Sequence, residues 1–221
     1  MAFTRIISSG ASEDRLEKLI EARLAPGADK AALDKRIWDL LGEEWTVLYT
    51  DLSGFSRHVA EFGIIHFLQV IHESKKLLIP VVENHDGILL KMEGDSMLTI
   101  FRNPHKAIEC AVAMQAACQR HNRDRIESEK ILLCVGIGSG KILRIGDTDV
   151  FGAEVNAACK LGEETAKAWD ILVTEPLRNS VKEWKFEKID ATPAGTSGAY
   201  RLVYELKEVA RGAGAGPDTR P

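Results

Sequence analysis

Two acidic residues stand where strand geometry could make them act together. Asp51 directly follows a run rich in β-branched and aromatic residues, Trp45-Thr-Val-Leu-Tyr-Thr50. Asp95 lies in Glu93-Gly94-Asp95, between the apolar runs Ile88–Met92 and Ser96–Phe101. Each has a nearby glycine, Gly54 and Gly94. Paired carboxylates of this kind suit a hard divalent cation such as Mg²⁺, whose oxygen shell is completed by substrate phosphates. Taken singly, Asp51 could cap a following helix and Asp95 could fill a tight turn. A second pair, Asn156 and Lys160, is spaced so that both fall on one face of a predicted helix. An amide and a cation there could hold a ribose oxygen and a phosphate, or could simply form a solvated helix face.

The elements that must position these residues can be read from periodicity. Residues 12–41 predict two helices broken at Pro26-Gly27, with Leu16, Leu19, Ile20 and Leu24 on the first and Leu33, Ile37, Leu40 and Leu41 on the second. Trp45–Thr50 predicts a strand, followed by a helix from about Ser56 to Leu78 that stops before Pro80. A hairpin around Gly94-Asp95 follows, then a helix opened by Asn103-Pro104. Ile131–Ile137 predicts a strand turning at Gly138-Ser-Gly140 into a partner near Lys141–Ile145, and Phe151–Lys167 a further helix. Ile171–Thr174, a short helix from Glu175, and a hairpin of Phe186–Ile189 with Tyr200–Glu205 close the pattern. The order β-α-β-β-α-β implies an α+β fold, an α/β sandwich with a ferredoxin-like split core and a C-terminal extension. Helices are expected on one face of a largely antiparallel sheet. In such a core the first and third strands are central neighbours, which would bring Asp51 and Asp95 to one edge.

Composition bounds the function. The chain has 221 residues, 29 basic and 33 acidic, for a net charge of −4. Without a clustered basic face, nucleic acid is not expected as a partner. No apolar run long enough for a membrane span exists, and the first residues lack the apolar core of a secretory signal. Four scattered cysteines, Cys110, Cys118, Cys134 and Cys159, read as thiols of a reducing compartment, so a cytoplasmic location is expected. Gly136-Ile-Gly138-Ser-Gly140-Lys141 lacks the spacing of a phosphate-binding loop and reads as a turn between strands. Residues 1–43 are expected to form a helical dimerisation or regulatory segment, 44–206 a catalytic domain, and 207–221 a disordered tail.

Three stretches together resemble the class III nucleotidyl cyclases, the adenylate and guanylate cyclase catalytic domains. They are Tyr49-Thr-Asp51-Leu-Ser-Gly-Phe55, Lys91-Met-Glu-Gly94-Asp95, and Asp149-Val-Phe-Gly152-Ala-Glu-Val-Asn156-Ala-Ala-Cys-Lys160. The resemblance implies that Asp51 and Asp95, with the carbonyl of Leu52, hold two Mg²⁺ (or Mn²⁺) ions per site. It implies that the ribose 3′-oxygen attacks the α-phosphorus, giving a 3′,5′-cyclic nucleotide and pyrophosphate. It assigns base recognition to Lys91 and Asp149, ribose orientation to Asn156 and α-phosphate charge stabilisation to Lys160. Lysine offers donors and aspartate acceptors, the pattern that adenine N1 and its 6-amino group satisfy, so ATP is the expected substrate. The family draws the two halves of each site from different subunits, implying a homodimer with two composite sites, and the N-terminal helices could receive an upstream signal. This chain departs from the family at Lys160, where arginine is usual, and it lacks a phosphate-contacting lysine in Asp190–Ala199. A catalytically weak regulatory module, or a guanylate cyclase, is the alternative.

Overall fold

The computed structural model describes residues 10–54, 61–190 and 198–205. Helices α1 (Ala11–Leu24) and α2 (Lys30–Leu41) form a hairpin before strand β1 (Gly42–Leu52). Then follow α3 (Ile64–Asn84), β2 (Ile88–Glu93), β3 (Ser96–Phe101), α4 (Pro104–Asn122) and β4 (Leu133–Ile145). β5 (Asp149–Phe151), α5 (Ala153–Lys160), β6 (Ile171–Thr174), α6 (Glu175–Ser180), β7 (Lys185–Ile189) and β8 (Ala199–Val203) complete the order. The strands form one sheet in the order β2-β3-β1-β4-β6-β8-β7, with β5 paired to β4. Among the described residues the β4–β6 pairing alone is parallel; the first four positions are the split core that the sequence implies.

Strand alternation divides the core into two. Leu48, Leu52, Phe101, Val135 and Ile137 pack with Phe67 and Leu78 of α3 and Ala111 and Met114 of α4. From the other face, Trp45, Val47, Leu98, Ile100 and Ile142 meet Val155 and Ala158 of α5. Helices therefore cover both faces, not one as expected, because the third-motif helix crosses to the side opposite α3 and α4. The α1–α2 hairpin closes over the end of β4, where Leu19, Ile37 and Leu41 enclose Ile145; Arg23 grips Asp34 through two hydrogen bonds of 2.5 and 3.2 Å. Among the described residues no helix is long and apolar enough to cross a membrane.

Three local expectations are corrected. Gly138-Ser-Gly140 is no turn: β4 runs unbroken through it, paired with β1 from Leu52↔Leu133 to Gly42↔Leu143. The glycines at alternate positions clear one face of the strand so that α5 can lie against it. A Cβ at Gly136 would stand 2.1 Å from the Ala158 carbonyl oxygen, and one at Gly138 2.5 Å from that of Glu154. Pro80 lies inside α3; the interior proline is tolerated because Leu78 and Val82 on either side are buried in the core. The third-motif helix ends at Lys160 and continues as a π-helical turn, Leu161–Thr165, where a helix to Lys167 was expected. The start expected for α3 and the expected disordered tail fall on residues 55–60 and 206–221, outside the described residues.

If the glycine stripe is what seats α5, then Gly136→Ala should overpack the contact. We expect a loss of about 2 kcal/mol, roughly 4–8 °C in Tm for a domain of this size, in thermal unfolding followed by circular dichroism.

Candidate active site

Asp51 stands near the end of β1, one residue past the Thr50↔Met97 pairing that ties β1 to β3. Asp95 occupies the β2–β3 turn, which closes tightly because Gly94 takes φ +58°. The two carboxyl groups are electrostatic neighbours: charge on Asp95 bears on Asp51, and the Leu52 backbone favours the ionised form of each. Burial first, and the neighbouring Asp95 second, push the Asp51 carboxyl up to about 6; burial also raises Asp95. Ser96 Oγ donates to Asp51 Oδ1 at 3.2 Å. Two half-buried carboxylates that repel each other, with hard oxygens as their only donors, fit a divalent cation, which would relieve both the desolvation and the repulsion.

Beside this pair lies a cavity of about 260 Å³ whose wall includes Tyr49, Lys91, Ser96, Asp149, Asn156 and Glu163. Lys91 reaches it because of a β-bulge. β2 and β3 pair Leu89↔Thr99 and then Lys91↔Leu98, so the register slips by one at Leu90. In an unbroken ladder Lys91 would oppose Met97, whose side chain is buried on the α3 side. The bulge turns the lysine to the α5 side with Leu98. Its ammonium then donates to Asp149 Oδ2 at 2.9 Å, and this bond is the first cause of the raised Lys91 pKa. Asp149 Oδ1 accepts from the Val150 backbone N–H at 2.8 Å, fixing the carboxylate at the start of β5.

α5 supplies the remaining groups. Its first turn is anchored by Glu154, whose Oε2 accepts from the Ser139 backbone N–H at 3.1 Å and from Thr174 Oγ1 at 2.6 Å. Burial raises the Glu154 carboxyl. Thus held over the β4 glycines, the helix presents Asn156 to the cavity and leaves Lys160 exposed, off the cavity wall. The structure therefore gathers Lys91, Asp149 and Asn156 in one place, and Asp51, Leu52 and Asp95 in a second beside it. Lys160 joins neither group within the chain.

Sequence reasoning passed over Tyr49, Ser96, Cys159 and Glu163. Tyr49 and Ser96 were within reach, since a residue two before Asp51 shares its face and Ser96 lies opposite Asp51 in the antiparallel register. Glu163 was hidden, because its place depends on the π-helical turn. Cys159 is a partly buried thiol in the cavity wall, and burial pushes it up to about 11, which keeps it protonated.

With this geometry in place, the chain can be set beside known proteins. Residues 42–202 match the family described as the adenylate and guanylate cyclase catalytic domain, and the chain belongs to that family. It is 32% identical over 130 residues to "Serine/threonine-protein kinase pkn2" of Myxococcus xanthus, a match covering 59% of this chain and 15% of that protein. It is 35% identical over 115 residues to "Putative adenylate cyclase 3" of Rhizobium meliloti, covering 52% and 19% respectively. The chain thus spans less than a fifth of either relative's length. Among solved structures, an adenylate/guanylate cyclase/hydrolase from Silicibacter pomeroyi superposes with a TM-score of 0.62 at 22% identity, covering 74% of this chain and 98% of that one. That likeness establishes the fold.

The raised acids make a signed prediction for the metal-free protein. An unfolded aspartate loses its proton near about 4, whereas folded Asp51 keeps it to about 6. The native state therefore holds the extra proton in that window. Its stabilising effect is complete below about pH 4 and is lost as pH rises through about 6. Thermal unfolding should show Tm falling across this window in wild type, and Asp51→Asn should flatten the slope.

Proposed function

We propose that this protein is an adenylate cyclase that converts ATP to 3′,5′-cyclic AMP and pyrophosphate at composite sites of a homodimer. The observation that carries the reading is a pair of half-buried acids at one end of the sheet, where burial and the charge of Asp95 hold the Asp51 carboxyl up at about 6. Such a pair is unfavourable in a lone chain and useful only when positive charge is brought to it.

In this reading Asp51 and Asp95, with the Leu52 carbonyl, hold two Mg²⁺ or Mn²⁺ ions. Bound there, the cations would lower the charge on the triphosphate and acidify the ribose 3′-hydroxyl. Lys91 and Asp149 read the base: the ammonium donates to adenine N1 and the carboxylate accepts from the 6-amino group. Their mutual bond of 2.9 Å keeps both groups in place before substrate enters. Asn156, on the same cavity, orients the ribose. Lys160 faces outward and would serve the α-phosphate of a nucleotide held against the acids of the partner subunit. Nucleophile and electrophile belong to one molecule, so the protein's contribution is orientation and charge stabilisation. Lys160 brings a single ammonium where an arginine fork would grip two oxygens. Loss of one preorganised donor costs about 10²–10³ in rate, so slow turnover is expected, and a regulatory module without turnover is the competing reading.

We further take 44–206 as the catalytic unit and 1–43 as a dimerisation or regulatory segment. The free thiols, three of them buried, fit a reducing compartment such as the cytoplasm.

The deciding assay is cyclic nucleotide formation from ATP and from GTP with Mg²⁺ or Mn²⁺; no product from either nucleotide defeats the enzymatic reading. Asp95→Ala and Asn156→Ala should each abolish activity. An equal mixture should recover about one quarter of wild type, since half the dimers are mixed and each of those keeps one intact site of two. In a separate test of base choice, Lys91→Glu with Asp149→Cys should move the ATP/GTP ratio of kcat/KM towards GTP by at least roughly tenfold.

A further inference from the structure

The glycines of Gly136-Ile-Gly138-Ser-Gly140 admit more than a helix backbone; two of them admit a side chain. A Cβ at Gly138 would stand 2.9 Å from Glu154 Oε2, and one at Gly140 3.1 Å from Glu154 Cγ. Glu154 therefore lies across β4 in a slot that a larger residue at either place would narrow. What it reaches is the point where two strands end their pairing. The parallel β4–β6 ladder has Ile137↔Val173 as its last pair. Just beyond, the same Oε2 accepts from the Ser139 N–H of β4 at 3.1 Å and from the hydroxyl of Thr174, the last residue of β6, at 2.6 Å. Thr174 is fully buried, and a short hydroxyl–carboxylate bond is stronger than one between neutral groups. Gly152, which precedes α5, makes no side-chain cap. Among the described residues Glu154 thus supplies the side-chain hydrogen bonds that tie the first turn of α5 to the sheet.

The rotation of the helix about its axis follows from this anchor. At 3.6 residues per turn, Asn156 lies about 200° around α5 from Glu154. Pinning the glutamate to the sheet therefore aims the amide the other way, to the cavity wall where Asn156 stands. Val155 and Ala158 hold the helix against the sheet by apolar contact, which is non-directional; hydrogen bonds to two strands set its rotation and its height. We propose that Glu154, seated in the Gly138–Gly140 slot and bonded to Thr174, is a positioning residue that aims Asn156 at the ribose. This rests on the reading in which the cavity takes adenine and Asn156 takes the ribose. The base contacts of that reading, Lys91 on β2 and Asp149 on β5, lie off α5 and do not depend on the anchor.

The test separates ribose from base. Adenine meets Lys91 and Asp149 alone, whereas adenosine adds the ribose and neither carries phosphate. The ratio of their affinities, measured by isothermal titration calorimetry on the full chain, therefore reads Asn156. Glu154→Ala should lower the adenosine-over-adenine ratio by about fivefold, the worth of one ordinary hydrogen bond, with adenine affinity within about twofold of wild type. Asn156→Ala should do the same, and combining the two should add nothing, because both remove one interaction. Thr174→Val should reproduce part of the loss. Glu154→Gln keeps an acceptor and Thr174→Ser keeps the donor, so both should keep the ratio, which separates positioning from misfolding. In ATP turnover, Glu154→Ala should lower kcat by at least roughly tenfold, as small misplacements do, while KM rises by no more than adenosine affinity falls. An unchanged ratio in a folded Glu154→Ala variant overturns the proposal, and so does a loss that adds to that of Asn156→Ala. If Glu154→Ala does not fold, an unchanged ratio in Thr174→Val overturns it. Failure of the underlying reading has a different signature, which also removes the proposal: wild type binds adenosine no more tightly than adenine, or Asn156→Ala leaves the ratio as it was.

Discussion

The register of β1 between β3 and β4 is the constraint on which the site depends. β1 is paired with β4 along its whole length and with β3 from Thr46 to Thr50, so it cannot slide by one residue without moving every side chain to the opposite face. That fixed register sets Asp51 against Ser96 and, through the tight turn at Gly94, brings Asp95 to the same edge. It also places Tyr49 on the face that α5 covers. On the other flank of β1, the β4 glycines set how closely α5 approaches, and with it the position of Asn156. Both halves of the proposed site therefore hang on one central strand.

The two halves balance charge differently. In the cavity half the acids have a cation among them: Lys91 pairs with Asp149 at 2.9 Å and with Glu93 at 3.7 Å, and Asp149 is further held by the Val150 backbone. In the acidic half two carboxyls are raised by burial, and among the described residues the side chain that donates to them is the neutral Ser96 hydroxyl. Neutral hydrogen bonds offset part of the cost of half-burying a carboxylate, but they do not remove repulsion between two of them. Imperfect local stability at such a place is typical of a binding site, and the surrounding sheet bears it.

Much of this was legible from residues alone. The strands around Asp51 and Asp95 announce themselves by β-branched runs ending at glycine and acid, and the split core follows from the order of elements. Three features were not legible, each for a physical reason. Glycines at alternate positions in Gly136–Gly140 carry the same local signal whether the chain turns or a helix lies across a flat strand; only the Ala158 and Glu154 carbonyls pressed against them decide. The slip at Leu90 leaves no trace in an apolar run, since Leu89 and Leu90 are interchangeable in pattern although they pack on opposite faces. Pro80 reads as a stop, because local propensity carries no knowledge of the core that holds the helix on both sides of it.

The lone chain's geometry also bears on assembly. Lys160 belongs to the same helix as Asn156 yet stands off the cavity, exposed, with its positive charge turned outward. Among the described residues, no basic side chain pairs with the acids at the end of β1. In the proposed head-to-tail dimer, the acids of one copy and the exposed Lys160 of the other would stand at one composite site, each deficit meeting the other's excess. In the proposed dimer this complementarity and the catalytic requirement coincide: the pairing that relieves the charges is the pairing that sets acids, nucleotide phosphates and Lys160 in one place. On that proposal an isolated chain would hold the cavity and the acidic pair, and neither alone would complete the reaction.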